Sequence, residues 1–413
     1  MRMLAGKEAE AYVRSIEQRA SRLDKVEPVV RSIIDDVRQH GEFALHKYAC
    51  EFDGVGETQG LRVSEKEMNA AWRSAPAELR SALQIADKNI RRFCEWQKPR
   101  PWSRSANGIS LGQLVRPLAS VGCYVPGGRF PLVSTLLMTV IPAQVAGVKN
   151  IRVVSPRPSA EVLAAASMLG VQEFFRVGGA QAIAALAYGS RSIARVDKIV
   201  GPGNIYVTAA KKLVSFHCAI DMLAGPTEVV IVSNRGKPEF IAADLVAQAE
   251  HDPETLAVFI TQSKKLAASV KHSVEASAQA DAFAWESLAA RGSLLIATSR
   301  KQAFEWANRI APEHITVEKA DVALVQSAGS VFVGDYSAQA AGDYASGPNH
   351  VLPTAGAARF RGGLSVMDFV KLITVQELSA KALGRIAATV LKLAETEGLR
   401  AHAESIRVRC ARA

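Results

Sequence analysis

Short β-branched runs recur at close intervals between residues 118 and 334: "LASVGCYV", "NIRVVS", "EFFRV", "VDKIVG", "EVVIVS", "LAVFIT", "GSLLIA", "ITVE" and "SVFVG". Stretches of helical character separate them. Strands that alternate with helices predict parallel sheets, because a parallel pair needs a long crossover and the helix supplies it. The expected fold class is therefore α/β, with open, doubly wound sheets. The first hundred residues read differently, as amphipathic helices. "VEPVVRSIIDDVRQHGEFALHKYACEFDG" sets Val29, Ile33, Val37 and Leu45 near helical spacing, and "APAELRSALQIADKNIRRFCEWQ" behaves alike until Pro99 and Pro101 break the pattern. From about Ser365 the chain reads as helical again, and no internal repeat is visible. A length of 413 residues predicts two or three domains.

Composition narrows the function classes. Hydrophobic residues make up 48% and charged residues 22%, as in a globular protein. The apolar run "LVSTLLMTVIPAQVAGV" contains Pro142 and Gln144 and falls short of the ~20 uninterrupted residues of a membrane span. The opening "MRMLAGKEAEAYVRSIEQR" has no apolar core of an export signal. The five cysteines are scattered, with no CxxC pair, so a reducing cytoplasm is expected rather than a disulfide framework or thiolate zinc site. The net charge of +10 comes from basic residues spread along the chain without interleaved aromatics. That pattern suits a solvated basic surface and not nucleic-acid binding.

In an open α/β sheet, ligands bind beyond the carboxyl ends of the strands. Four Gly/Pro turns follow apolar runs: "YVPGGRFP" (Tyr124–Pro131), "RVGGAQA" (Arg176–Ala182), "VGPGNIYV" (Val200–Val207) and "DMLAGPTEV" (Asp221–Val229). Such turns let backbone approach a phosphate or ring closely. The dinucleotide fingerprint GxGxxG is absent, so any such cofactor is held in another way.

Of eight histidines, His40, His46, His217 and His272 sit in unremarkable surroundings and read as structural or surface residues. The others fall in unusual segments. Gln248 and His251 in "AQAEHDP" stand one helical turn apart and could share a metal ion; the same segment equally suits a helix C-terminus where His251 meets the negative end of the dipole. Asp343 in "AGDYASG" and His402 in "EGLRAHAESIR" would complete an N/O set of the kind that suits Zn²⁺ or a neighbouring transition ion. In "IAPEHI", Pro312 stiffens the turn that presents Glu313 and His314, two groups able to take protons from water and from a hydroxyl.

Taken in order, "VGCYVPGG", "GGAQAIAALAYG", "VGPGNIYV", "DMLAGPTEV", "AQAEHD", "APEHI", "GDYASGPNHVLPT" and "EGLRAHAESIRVR" resemble the successive signature segments of the histidinol dehydrogenase family. The resemblance extends to "VRQHGEFALHKYACEFDG" and "NIRRFCEWQ", nearly the whole chain. It implies two NAD⁺-dependent oxidations, from L-histidinol through L-histidinaldehyde to L-histidine, at the end of histidine biosynthesis. It implies one Zn²⁺ per subunit on Gln248, His251, Asp343 and His402, with His314 as base for the alcohol and Glu313 as base for water. The same metal ligands and His314 would line the substrate site together with Thr227, His350 and Glu397. Tyr124, Gln181 and Asn204 would touch NAD⁺.

As a fold, the resemblance implies two incomplete Rossmann-like domains: residues 21–123 with 227–364 carrying the catalytic pair and most metal ligands, and 124–226 carrying NAD⁺. A helical segment, residues 1–20, would precede them, and a helical arm, residues 365–413, would cross to the partner in a homodimer. Two departures bear on substrate choice. Thr227 stands where serine is usual, and Arg129 and Phe130 replace smaller residues. The alternative is a paralogous zinc- and NAD-dependent dehydrogenase for another alcohol, such as a sulfonated diol, for which Arg129 would be the natural anion partner. His350 and Glu397 favour histidinol, whose amine and imidazole suit a carboxylate.

Overall fold

The computed structural model describes residues 1–19, 23–127, 131–250, 252–278 and 282–411. The N-terminal part runs β1 (Arg2–Ala5), α1 (Gly6–Glu17), α2 (Glu27–His40), α3 (Glu42–Asp53), β2 (Arg62–Val63), α4 (Glu65–Ser74) and α5 (Ala77–Gln97). A hairpin of β3 (Trp102–Ala106) and β4 (Ile109–Pro117) leads to β5 (Ser120–Tyr124), α6 (Val133–Ala146), β6 (Asn150–Val154), α7 (Ala160–Met168) and β7 (Glu173–Phe175). Next come α8 (Gly179–Tyr188), β8 (Lys198–Val200), α9 (Ile205–Val214), β9 (Ala219–Ile220), β10 (Glu228–Val232), α10 (Pro238–Ala249) and β11 (Leu256–Thr261). Then follow α11 (Lys264–Ala278), α12 (Ala282–Arg291), β12 (Ser293–Ile296), α13 (Arg300–Ile310), β13 (His314–Val317), β14 (Ser330–Val333) and α14 (Gln339–Tyr344). The chain closes with β15 (Val370–Leu378), α15 (Ala380–Thr396) and α16 (Arg400–Cys410).

Every β-branched run singled out in the sequence forms a strand, and the strands sort into two six-stranded sheets. The Tyr124 sheet has the order β2-β7-β6-β5-β8-β9, all parallel except the short edge strand β2. The His314 sheet has the order β1-β12-β11-β10-β13-β14 and is parallel throughout. Numbered by their own five main strands, both sheets read 3-2-1-4-5. That is the doubly wound Rossmann order without its sixth strand, and it puts a switch point between β5 and β8 in one sheet and between β10 and β13 in the other. Helices cover both faces of each. Helices α2, α3, α8 and α9 pack on one side of the Tyr124 sheet and α5, α6 and α7 on the other. For the His314 sheet, α1 and α13 oppose α10, α11 and α12.

Three sequence expectations are corrected here. Residues 23–97 pack onto the Tyr124 sheet and not onto the sheet of the Glu313–His314 pair, because the buried stripes of α2 and α5 meet Ile183, Val207, Leu136 and their neighbours. The first residues are not purely helical. Strand β1 pairs with β12 and α1 packs behind it, so residues 2–17 complete the His314 sheet. The C-terminal segment begins with a nine-residue strand, β15, whose antiparallel pairing with β4 makes a third sheet, β15-β4-β3. Within α2, Ile33 and Val37 are buried as their spacing predicts, together with Val30 and Ile34, whereas Val29 faces solvent.

Candidate active site

His314 opens β13 with Glu313 immediately before it, and Glu228 opens β10; Val229 and His314 are register partners at the switch point of their sheet. The pair therefore lies at the amino ends of the strands, opposite to the general expectation for open α/β sheets. Two helices explain this. Both α10 and α14 run back to the amino edge, and their last turns deliver Gln248 and Asp343 beside His314. Gln248 Nε2 lies 3.1 Å from Asp343 Oδ2, and His314 Nε2 lies 3.5 Å from Asp343 Oδ1.

The Glu228 backbone grips both members of the pair. Its N–H donates to Glu313 Oε2 at 3.1 Å, and its carbonyl accepts from His314 Nδ1 at 3.4 Å. A carbonyl only accepts, so Nδ1 carries the proton and Nε2 of the neutral ring keeps its lone pair. That Nε2 is buried and makes no hydrogen bond. Burial pushes the Glu313 carboxyl up to about 8. For His314 burial acts downward, but the Glu313 and Asp343 carboxylates and the Glu228 carbonyl outweigh it and raise the imidazole above its usual value.

His350 links this site to the other sheet. Its Nδ1 donates to the Asp343 carbonyl at 2.7 Å, and its Nε2 lies 3.3 Å from Thr135 Oγ1, in the first turn of α6. Thr227 immediately precedes β10, half-buried, with its carbonyl accepting from Leu256 N. Glu397 and His402 are exposed. Among the described residues no hydrogen bond or ion pair joins either to Gln248, Asp343, Glu313 or His314, and no group of three or more His, Cys, Asp or Glu side chains is placed to hold a metal. His251, Arg129 and Phe130 lie outside the described residues.

The expected cofactor residues sit at the carboxyl ends of the Tyr124 sheet, each tied into a glycine turn. Tyr124 OH accepts from Gly179 N at 3.2 Å. Gln181 is buried with its Nε2 donating to Asp53 Oδ2 at 3.1 Å, and the same oxygen accepts from Gly178 N. Asn204 is exposed and caps α9 through Oδ1, which accepts from Tyr206 N and Val207 N. The turn before it needs glycine: Gly201 has φ +113°, and a Cβ there would meet the Tyr124 carbonyl oxygen at 2.2 Å. A buried ion pair of Lys211 and Asp221 clamps that turn from both sides, with Lys211 donating to the Gly201 carbonyl and Asp221 accepting from Gly201 N. Sequence reading missed Asp53, Lys211, Asp221, Thr135, Arg19 and Glu228, since none sits in a spacing pattern of its own; Asp53, Asp221 and Glu228 lay within recognised segments but were given no role there.

The histidinol dehydrogenase family matches residues 16–410. A histidinol dehydrogenase of Methanothermobacter thermautotrophicus is 46% identical over 95% of this chain and 96% of its own length. That of Aquifex aeolicus is 44% identical over 94% and 93%. The crystal structure of histidinol dehydrogenase from Elizabethkingia anophelis superposes with a TM-score of 0.94 at 35% identity, covering 99% of this chain and 98% of that one. Sequence and fold thus agree over the full span that carries the two sheets and the Glu313–His314 pair, and the chain belongs to the histidinol dehydrogenase family.

Proposed function

We propose that the protein oxidises L-histidinol to L-histidine through L-histidinaldehyde, passing two hydrides to two NAD⁺. The observation that carries the reading is the buried Glu313–His314 pair, held by the backbone of one residue and facing a carboxylate. His314 Nε2, the free lone pair of the ring, takes the hydroxyl proton in the first oxidation. Glu313, once ionised, takes a proton from the water that adds to the aldehyde before the second. Burial of both groups keeps bulk water from competing for those protons.

The local chemistry fits a divalent cation. Helices α10 and α14 converge with the negative ends of their dipoles, where positive charge is stabilised. Gln248 and Asp343 already meet there, Gln248 Nε2 donating to Asp343 Oδ2 at 3.1 Å, and the two side chains carry an amide oxygen and a carboxylate, the oxygen donors a divalent cation takes. Gln248 and Asp343 would hold it with His251, and His402 of a second copy would close the set. Bound there, Zn²⁺ supplies charge that holds the substrate's imidazole and amino nitrogens and offsets the Asp343 carboxylate beside His314. Thr227, His350 and Glu397 would orient the substrate, and Tyr124, Gln181 and Asn204 would line the NAD⁺ cleft. The relatives' printed names support histidinol and lend nothing to a sulfonated diol.

Absorbance at the NADH band tests the reading. With L-histidinol and excess NAD⁺ the zinc-loaded protein is expected to yield two NADH per histidinol consumed. No NADH from histidinol, or turnover only with other alcohols, would overturn it.

A further inference from the structure

Glu228 is only 3% exposed, yet its carboxylate is fully served. Oε1 accepts from Arg19 Nε at 2.6 Å and from Ala355 N at 2.9 Å, and Oε2 accepts from Arg19 Nη2 at 2.6 Å. The same guanidinium donates to the carbonyls of Ile16 and Ile310, both at 2.9 Å. Ile310 ends α13, and Ala311, with φ +49°, starts the turn into Glu313. One fork thus ties together the end of α1, the start of β10 and the root of the "APEH" turn. A buried ion pair adds little stability over well-packed apolar side chains of equal volume, so mere bracing of the sheet does not call for one. What distinguishes this place is the Glu228 backbone, whose N–H holds the Glu313 carboxylate and whose carbonyl holds His314 Nδ1.

We infer that Arg19 and Glu228 form a positioning pair that fixes Glu313 and His314 in register for proton transfer. The inference rests on the reading above that these two groups are the proton acceptors. Arg19 fixes the Glu228 side chain, and through it the two peptide groups flanking Glu228, whose N–H and carbonyl set the direction of the two acceptors. The Ile310 contact holds the turn from the other side. Without Arg19 a buried carboxylate loses its cation, and the start of β10 that carries it loses an anchor the strand pairing alone does not replace.

The test is a double-mutant cycle in the full-length, zinc-loaded protein, with L-histidinaldehyde and NAD⁺ as substrates. Arg19→Met is expected to lower kcat by about tenfold or more with the KM for NAD⁺ unchanged within about twofold, since the cofactor cleft belongs to the other sheet. Arg19→Lys should recover part of the loss, keeping the charge but not the fork. In a Glu313→Gln background, Arg19→Met should cost less than about twofold more, because a misplaced group that cannot take a proton has nothing further to lose. An equal loss in both backgrounds, or no loss in Arg19→Met alone, overturns the inference. Circular dichroism checks folding, and if Arg19→Met fails to fold, Arg19→Lys and Glu228→Gln complete the same cycle. Full aldehyde oxidation by Glu313→Gln alone would instead sink the parent reading.

Discussion

Glu313 and His314 are neighbours in the chain, and the reading proposed above gives them different tasks. His314→Asn should cripple alcohol oxidation and leave histidinaldehyde oxidation partly intact, and Glu313→Gln should do the reverse, each by about 10²–10⁴-fold. Steady-state rates with each substrate check this, and equal losses in both half-reactions would contradict the division. The pH dependence follows from burial. A carboxyl raised to about 8 is protonated below that value and ionised above it, so aldehyde oxidation is expected to rise with pH along a limb that Glu313→Gln abolishes. A cation on Gln248 and Asp343 draws a nearby carboxyl downward, so with zinc bound the limb should fall at or below about 8. At this scale the sequence was legible where chemistry was contiguous: "PEH" displays two proton acceptors to anyone reading it. Arg19 and Glu228, 209 residues apart, carry no such mark, because a pairing across the fold leaves no spacing behind.

The elements that build the site are α10 and α14, and α14 is too short to stand alone. Gln339 in its first turn donates to Thr316 Oγ1 at 3.0 Å, and the Asp244 carboxyl on α10, pushed up to about 6 by burial, lies against the Gln339 backbone N–H. That carboxyl stands at the amino end of α14, one helical turn before Gln248 on α10. Removing it by Asp244→Ala should cost about 1 kcal/mol, the usual worth of a helix cap, and should weaken zinc retention by loosening Asp343. Thermal melts and metal content after dialysis read the two effects; undiminished zinc affinity would show that α14 is held without Asp244. The alternation of strands and helices was legible because buried parallel strands are short apolar runs. Strand β15 was not: Leu372, Val375 and Leu378 recur every third residue and imitate a helix, and no face of β15 is buried within its own chain to enforce a period of two.

For the whole molecule, the arm of β15, α15 and α16 leaves apolar side chains in solvent, among them Ile373 at 45% exposure and Leu393 at 59%. A surface of this kind marks an interaction face, and a second copy is the partner we propose. Glu397 and His402 would then complete the neighbour's site. Co-expressing two inactive variants, His314→Asn and His402→Ala, tests that arrangement. Mixed dimers would contain one intact site, restoring on the order of a quarter of the parent activity. No recovery from a verified mixed dimer would refute a shared site.

The sequence by itself determined the fold class, the extent of the family likeness and the adjacency of Glu313 and His314, because each rests on local composition or order. Tertiary structure alone decided which sheet residues 23–97 serve, that the pair stands at the amino ends of its strands, and that a distant arginine anchors the peptide behind it. Those outcomes depend on how buried faces meet and how helix ends converge, and side-chain packing across the chain is not written at any single position along it.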